Sequence, residues 1–387
     1  MTTAIPRSRP DDLTDVDRAD PGGMLLAVAS APAQVREAAT LATEAGLERL
    51  AAGGRPRAVV VAGMGGSGIA GDVLATVAGP GCPVPIFTHR GYGLPGWVGA
   101  ADLVISVSCS GSTEETVSAT EEAIRRGCQL LAVGGAGSTL AEQAAQAGAP
   151  FVPVRGDRQP RASLWALSIP LIVAGDRLGL LAVPAEVFEA TARRLELAAT
   201  SCRPANETFI NPAKALALDL AGSLPMVWGS SMLAGTAAYR MVCQLAENAK
   251  HAAVFGQLPE ATHNQVIAFD GPYADGRAVA GTAAELNFFR DRAEDAGEHP
   301  RLRLVLLRDV PAAEHPQVAR RAAVSRELAE DRGIPVTELV ADGDSALERL
   351  ASLVGVPDFA TVYLAVALGI DPTPVASIEE LKNRIRW

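Results

Sequence analysis

Gly63-Met64-Gly65-Gly66-Ser67-Gly68 follows the apolar run Ala58-Val59-Val60-Val61-Ala62. A second loop of small residues, Ser108-Cys109-Ser110-Gly111-Ser112-Thr113, follows another apolar run further along the chain. Each loop leaves a predicted strand and opens a predicted helix, which is the beginning of a βα unit. Glycines let backbone N–H groups approach an anion closely, and hydroxyls gather where a helix N-terminus already favours negative charge. Together the two loops predict a pocket for one phosphate group.

Composition indicates a two-domain α/β protein. The chain has 387 residues, 48% of them hydrophobic and only 4% aromatic, with 37 glycines that suit many tight turns. The net charge of −10 and the lack of a Lys/Arg-rich block disfavour nucleic acid and an anionic membrane as partners. Five cysteines without a CxxC pair indicate free thiols. No signal peptide is recognisable and no run reaches the roughly 18 apolar residues of a membrane span, so we expect a cytoplasmic protein.

Strand and helix patterns alternate along most of the chain. After a polar arm, a helix is predicted over 24–52. Strands are then predicted at 57–62, 84–88, 102–108, 129–133 and 151–154, with helices at 67–78, 113–126, 139–147 and 162–178. The second half predicts strands at 224–228, 265–269, 302–308 and 335–340, with helices at 233–249, 315–332, 345–369 and 375–386. This alternation predicts two doubly wound parallel sheets with helices on both faces.

The expected domains are an N-terminal arm and helix over 1–50, a first α/β domain over 51–197 and a second over 205–387. The sequence around Val227-Trp228-Gly229-Ser230 echoes the opening of the first half, which is consistent with a duplication. Its glycine cluster is thinner, so we expect only the first half to bind the phosphate.

Two other interpretations of the loops stay open from the residues alone. Gly63, Gly65 and Gly68 also satisfy GxGxxG, the fingerprint of dinucleotide sites, and Arg90 stands where an NADP phosphate receptor is expected. The hydroxyls before the 113–126 helix are also compatible with an ordinary N-cap, and both interpretations can hold together. Cys109 lies among loop serines, but no neighbouring histidine motif supports a nucleophile.

The residues resemble a known family. The two loops are similar to the phosphate loops of sugar isomerase (SIS) domains, and three later segments narrow the resemblance to bifunctional phosphoglucose/phosphomannose isomerases, which carry two SIS domains. These segments are Glu247-Asn248-Ala249-Lys250, Leu258-Pro259-Glu260-Ala261-Thr262-His263-Asn264, and Asp371-Pro372-Thr373-Pro374 with Leu381-Lys382. The resemblance spans roughly residues 50 to 387.

The resemblance also implies roles for individual residues. It implies that Glu247 is the catalytic base, that His263 and Lys382 act in ring opening, and that Arg161 stabilises the enediolate. It implies that the phosphate is held by Gly66, Ser67, Ser108, Ser110 and Thr113. The chain departs from the family at Gln265, where an acidic residue is usual, and at Ser112, where Asn or Glu is usual.

The implied reaction is the interconversion of fructose 6-phosphate with glucose 6-phosphate, mannose 6-phosphate or both, through a cis-enediol and without metal or cofactor. The family also implies a homodimer, in which His263 serves the neighbouring subunit's site. A phosphosugar sensor without catalysis and a different SIS sugar-phosphate isomerase stay as alternatives. From the residues alone, Glu247 is equally a surface partner of Lys250, and His263 an ordinary loop histidine. The sequence does not decide between the glucose and mannose epimers.

Overall fold

A computed structural model describes residues 11, 13–156, 158–274 and 301–385. Its strands are β1 (Val59–Ala62), β2 (Ile86–His89), β3 (Leu103–Ser108), β4 (Gln129–Gly135), β5 (Phe151–Val154), β6 (Ser223–Gly229), β7 (Val254–Gln257), β8 (Arg301–Arg308) and β9 (Val336–Val340). Its α-helices are α1 (Leu13–Ala19), α2 (Met24–Ala29), α3 (Ala31–Glu44), α4 (Glu48–Ala51), α5 (Gly65–Ala78), α6 (Glu114–Arg125), α7 (Thr139–Gln146), α8 (Leu164–Arg177), α9 (Ala185–Ser201), α10 (Pro212–Leu220), α11 (Met232–Ala249), α12 (Pro316–Glu330), α13 (Ala346–Ala367) and α14 (Ala376–Ile385). Short 3-10 helices occupy Pro160–Ala162, Glu260–His263 and Gln265–Asp270.

By residue contacts, the chain divides into two compact units. The first unit comprises Gly23–Thr200 and Gly343–Ser352, and the second comprises Met1–Gly22, Ser201–Asp342 and Leu353–Trp387. The domain ranges expected from the sequence stay predictions.

The first unit is built on a five-stranded sheet whose strand order is β2-β1-β3-β4-β5, and every pair of neighbours is parallel. All residues of β1 and β3 are buried, as expected of central parallel strands covered on both faces. The chain leaves β1 toward β2 on one side and later returns as β3 on the other. Loops that follow β1 and β3 therefore diverge and leave a crevice, where open α/β sheets bind ligands.

The second unit repeats this topology in a four-stranded parallel sheet of order β7-β6-β8-β9. Here β6 takes the place of β1, and β8 takes the place of β3. The alternation read from the sequence is thus confirmed as two doubly wound parallel sheets. The core of the second unit includes Trp228, which is fully buried and stacks on Phe269 with ring centroids 5.7 Å apart.

One predicted strand is wrong. Residues 265–269 form a 3-10 helix, Gln265–Asp270, and the edge of the sheet is formed instead by Val254–Gln257, which the sequence analysis did not assign. The apolar side chains of the segment, Phe269 above all, cover the sheet from one face and pack against Trp228. A short apolar run that packs onto a sheet gives the same sequence pattern as a strand within it.

The N-terminal region differs from the single predicted helix over 24–52. Three helices, α2, α3 and α4, cover it, and Gly46 adopts a positive φ of 68° between the last two. Left-handed backbone ends a helix and is readily adopted by glycine. The sequence patterns did not indicate helices α9 and α10: α9 ends within the expected gap between the two domains, residues 198–204, and α10 begins after it. Residues 1–10 of the polar arm lie outside the described residues.

Within the described residues, one helix, α13, is long and apolar enough to cross a membrane. Of its most apolar window, 89% is buried inside the protein, which is the behaviour of a core helix.

Candidate active site

The first glycine-rich loop closes the turn from β1 into α5. Gly65 has a φ of +52°, a backbone conformation that favours glycine. A Cβ atom on Gly68 would lie 2.8 Å from the carbonyl oxygen of Gly63, and one on Gly63 would lie 3.0 Å from the carbonyl oxygen of Val107. The glycines therefore let the loop fold against its own backbone and against the end of β3.

Ser67 joins this loop to the second one. Its side chain is buried, and its hydroxyl accepts a hydrogen bond from the backbone N–H of Cys109, with 3.3 Å between nitrogen and oxygen. Cys109 is the first residue after β3, so the two loops meet at the switch point of the sheet.

The second loop gathers hydroxyls around Ser108. The Ser108 hydroxyl oxygen lies 2.9 Å from that of Thr113 and 3.4 Å from that of Ser110, and it accepts the N–H of Gly111 at 3.0 Å. Ser108 is fully buried, Thr113 is half-buried and Ser110 is exposed. Ser112 donates both its N–H and its hydroxyl to Ser110, at 3.3 and 3.2 Å. Hydroxyl groups thus run from the buried strand end to the surface.

The ordinary capping interpretation does not account for these hydroxyls. Thr113 is the N-cap residue of α6, yet within the described residues its side chain accepts no hydrogen bond from the first helical turn. The N-cap residue of α5 is Met64, whose side chain has no hydroxyl or carboxylate to accept one. Two helix N-termini therefore point into the crevice without a side-chain cap, a favourable setting for an anion.

Arg161 belongs to the same unit and lies beside the first loop. It is 4% exposed and sits in the 3-10 helix Pro160–Ala162. A Cβ on Gly66 would lie 3.3 Å from the carbonyl oxygen of Pro160 and 3.9 Å from the Cα of Arg161. Gly66 thus provides the close approach that brings the backbone of Arg161 next to the loop.

The structure disfavours a nucleophilic Cys109 and an NADP-binding Arg90. Burial raises the pKa of the Cys109 thiol, an effect that the nearby Ser163 hydroxyl and the Arg158 charge offset only in part, which disfavours a nucleophile. Arg90 forms an ion pair with Asp72, whose other carboxylate oxygen accepts the Thr88 hydroxyl at 2.8 Å. The arginine proposed for an NADP phosphate is thus already engaged with a carboxylate.

Glu247 lies in the second unit, in the last turn of α11, and is half-buried. The same helix is tied to α13 by a buried pair, in which Arg240 donates to both carboxylate oxygens of Asp358, with the shortest contact at 2.6 Å. Asn248, next to Glu247, donates to the Thr361 hydroxyl at 3.0 Å. These buried contacts fix the end of the helix that carries Glu247.

Lys250 ends α11 with a left-handed backbone, φ +52°. Its ammonium group donates to the carbonyl oxygens of Glu247 at 2.9 Å and Asn248 at 3.3 Å, and to those of Asp371 and Pro372 at 3.2 Å. A cation at the negative end of the helix dipole is favourable. The Glu247–Lys250 segment and the 371–374 segment, two of the motifs singled out in the sequence, are therefore joined through this lysine.

His263 is exposed at the end of the 3-10 helix Glu260–His263. Gln265, the departure from the family pattern, uses both ends of its amide: its Oε1 accepts the indole N–H of Trp228 and its Nε2 donates to the carbonyl of Phe255, each at 2.8 Å. An ionised carboxylate has no proton to donate to Phe255. Gln265 therefore makes a local contact, the hydrogen bond to Phe255, that a glutamate could not make.

Lys382 is exposed on α14, a helix without buried residues. The first unit thus contains Gly66, Ser67, Ser108, Ser110, Thr113 and Arg161, and the second contains Glu247, His263 and Lys382. The sequence did not predict the hydrogen bond from the backbone N–H of Cys109 to Ser67, or the two contacts of the Gln265 amide. A backbone donor has no side-chain signature, and the partners of Gln265 lie 10 and 37 positions away in the chain.

Known proteins resemble this chain in sequence and in fold. A family model described as the bacterial phospho-glucose isomerase C-terminal SIS domain matches residues 209–385. A bifunctional phosphoglucose/phosphomannose isomerase of Caldicellulosiruptor bescii is 31% identical over 84% of this chain and 89% of its own length. One of Aquifex aeolicus is 31% identical over 85% and 91%. The solved structure of tagatose-6-phosphate ketose/aldose isomerase from Escherichia coli, 15% identical, superposes with a TM-score of 0.65 over 92% of this chain and 98% of that one, and supports the fold. The chain belongs to the bifunctional phosphoglucose/phosphomannose isomerase family.

Proposed function

We propose that this protein is a phosphosugar aldose–ketose isomerase that interconverts fructose 6-phosphate with glucose 6-phosphate, mannose 6-phosphate or both. Family membership supports the class of reaction. The observation that carries the proposal is the cluster of Ser67, Ser108, Ser110 and Thr113 at the switch point of the first sheet. It presents hydroxyls and uncapped helix N-termini, which are the donors that a phosphate monoester requires.

The reaction moves a proton between C2 and C1 through a cis-enediol. It requires one carboxylate base and a cation or donor for the oxyanion that develops at the carbonyl oxygen. We assign the base to Glu247 and the stabilisation of the oxyanion to Arg161, and we assign ring opening to His263 and Lys382. The half-buried, firmly anchored position of Glu247 at the end of α11 is compatible with its role.

The test uses the purified full-length chain with fructose 6-phosphate in the presence of a chelator, and it follows glucose 6-phosphate and mannose 6-phosphate separately. We expect at least one aldose product. Substrate binding without turnover would favour a phosphosugar sensor, and turnover of an amino-sugar phosphate alone would favour a different SIS isomerase.

Glu247→Gln tests the assignment of the base. We expect kcat to fall by about 10²–10⁴-fold, the usual contribution of a general base, with little change in KM. Glu330→Gln, an exposed glutamate of α12 that pairs with Arg326, is the matched control and should retain full kcat. A fully active Glu247→Gln would show that another group removes the proton.

We also propose a cytoplasmic homodimer. The five cysteines are all free thiols, as suits a reducing compartment. Helix α14 exposes Ile378, Leu381 and Ile385 at 43%, 60% and 55%, and their spacing places them along one side of the helix. An apolar stripe of this kind favours association with a second copy. Leu381→Asp should shift the mass measured by light scattering from dimer to monomer, and a dimer that tolerates this change would have its interface elsewhere.

A further inference from the structure

The switch point of the second sheet holds a buried carboxylate. Asp309 is the first residue after β8 and is 4% exposed. Since β6 and β8 correspond to β1 and β3, Asp309 stands at the position that Cys109 holds in the first unit.

A similar hydrogen bond is formed at the two positions. In the first unit the backbone N–H of Cys109 donates to the hydroxyl of Ser67, at 3.3 Å. In the second unit the backbone N–H of Asp309 donates to the hydroxyl of Ser230, at 3.0 Å. Both bonds join the residue after the third strand of the motif to a serine near the start of the helix that follows the first strand: Ser67 lies in the first turn of α5, and Ser230 directly precedes the N-cap residue of α11. What differs is the side chain, a small thiol in one unit and a carboxylate in the other.

The Asp309 carboxylate engages the donors at this place. Its Oδ2 accepts the Ser231 hydroxyl at 2.9 Å, and its Oδ1 accepts the N–H of Val310 at 2.8 Å. Ser231 is the N-cap residue of α11, and its hydroxyl oxygen accepts the N–H of Ala234 at 3.0 Å. The negative charge therefore lies next to the N-terminus of an 18-residue helix, which favours an anion.

The first unit lacks this arrangement. Met64 caps α5 without a polar side chain, and the thiol of Cys109 carries no charge that would repel a phosphate. The two switch points thus differ in what fills the space beside the helix N-terminus: in the second unit a carboxylate fills it.

We infer that Asp309 occupies the anion position of a second, closed phosphate site, and that it confines phosphate binding to the first unit. Removing the carboxylate opens this position to inorganic phosphate. The comparison between units rests on the proposed phosphate site of the first unit.

The test uses the full-length chain carrying Ser67→Ala and Ser110→Ala, so that phosphate binding at the first site is weakened in every sample. To this background we add Asp309→Ala, or Asp309→Asn as the matched control that keeps the volume and the hydrogen-bond acceptor but not the charge. Thermal midpoints are measured in 20 mM inorganic phosphate and in chloride of equal ionic strength. Calorimetric titration with phosphate gives the number of sites.

We expect phosphate to raise the midpoint of the Asp309→Ala chain by about 3 °C more than that of the background or of the Asp309→Asn chain. Titration should show one additional phosphate per chain in Asp309→Ala alone. Equal phosphate responses in all three chains would overturn the inference.

Asp309→Cys, which introduces the residue found at the equivalent place in the first unit, is a second variant in case Asp309→Ala folds poorly. Folding of either variant in phosphate but not in chloride supports the inference, whereas failure of both to fold even in phosphate contradicts it. Isomerase activity is measured separately in chains with unchanged serines. If the proposed function is wrong, these activity assays show no turnover, and the phosphate-binding measurements on the Asp309 variants can still be interpreted.

Discussion

The hydroxyl oxygens of Ser108 and Thr113 lie 2.9 Å apart across the turn that joins β3 to α6. Ser108 is fully buried and also accepts the N–H of Gly111, so its hydroxyl holds the turn in place. Ser110, 3.4 Å away, is exposed and presents its hydroxyl at the surface. The buried hydroxyl of Ser108 therefore shapes the loop, whereas the exposed hydroxyl of Ser110 is accessible to the proposed phosphate.

Ser110→Ala should weaken substrate binding without affecting the chemical step. A hydrogen bond to a charged group contributes about 1.5–3 kcal/mol, so we expect KM for fructose 6-phosphate to rise about 10-fold or more, with kcat nearly unchanged. Initial rates over a range of substrate concentrations give both values.

Ser118→Ala is the control, because Ser118 lies on α6, the helix that follows this loop, and accepts the N–H of Gly93. Its KM should equal that of the unmodified chain. If Ser110→Ala leaves KM unchanged too, the exposed hydroxyl does not contact the phosphate.

Gly68→Ala should distort the first loop. The added Cβ would lie 2.8 Å from the carbonyl oxygen of Gly63, and this backbone atom has little room to move. Overpacking of this kind costs about 1–3 kcal/mol of unfolding free energy. We expect a lower denaturant midpoint together with a raised KM for the sugar phosphate.

Gly81→Ala is the matched control, since a Cβ there meets no atom within 4 Å. It should leave both the midpoint and KM nearly unchanged, because its backbone needs no positive φ. Equal behaviour of the two variants would mean that the close approach at Gly68 is not required.

The βα units around β1 and β3 were predictable because their signals are local. A buried apolar run followed by glycines or hydroxyls and a helical pattern identifies strand, turn and helix within about 20 residues. The edge strand Val254–Gln257 and the 3-10 helix Gln265–Asp270 were not predictable in this way. Their assignment depends on which segment pairs with β6 and which packs on Trp228.

The site shows the same limit. The types of its side chains were readable in the sequence, and so was their resemblance to a family. Gly66 contacts Pro160, and Ser231 donates to Asp309, although the two residues of the second pair lie 78 positions apart and those of the first lie still further apart. Packing sets such contacts, and no short motif encodes them.

Gln265→Glu should destabilise the second unit although it introduces the residue type usual in the family. At neutral pH a carboxylate has no proton to donate, so one of its oxygens would face the carbonyl oxygen of Phe255 in place of the amide nitrogen. Leaving a partly buried acceptor unsatisfied costs about 1–3 kcal/mol. The measurement is the urea midpoint, with Gln317→Glu on the surface of α12 as control. A midpoint as high as that of the unmodified chain would show that the glutamine has no structural advantage.

We expect Asp102 to make the stability of the first unit depend on pH. Burial by itself would raise the pKa of its carboxyl, but hydrogen bonds from Arg57 and Gly99 outweigh burial and hold the pKa below its usual value. Arg57 donates to both carboxylate oxygens, at 2.9 and 2.6 Å, and the N–H of Gly99 donates at 2.8 Å.

A pKa that is lower in the folded chain than in the unfolded chain means that folding favours the ionised carboxylate. Its contribution to stability is therefore fully present above the unfolded pKa, near 4, and is lost as the pH falls through the folded value. Asp102→Asn should lower the thermal midpoint by a few degrees at pH 7, and the gap to the unmodified chain should narrow as the pH falls below about 4.

Circular dichroism melts between pH 7 and pH 3 test this expectation, with the exposed Asp17→Asn as control. The control should follow the unmodified chain at every pH. A gap for Asp102→Asn that stays constant down to pH 3 would mean that the shape of the side chain, and not its charge, stabilises the start of β3.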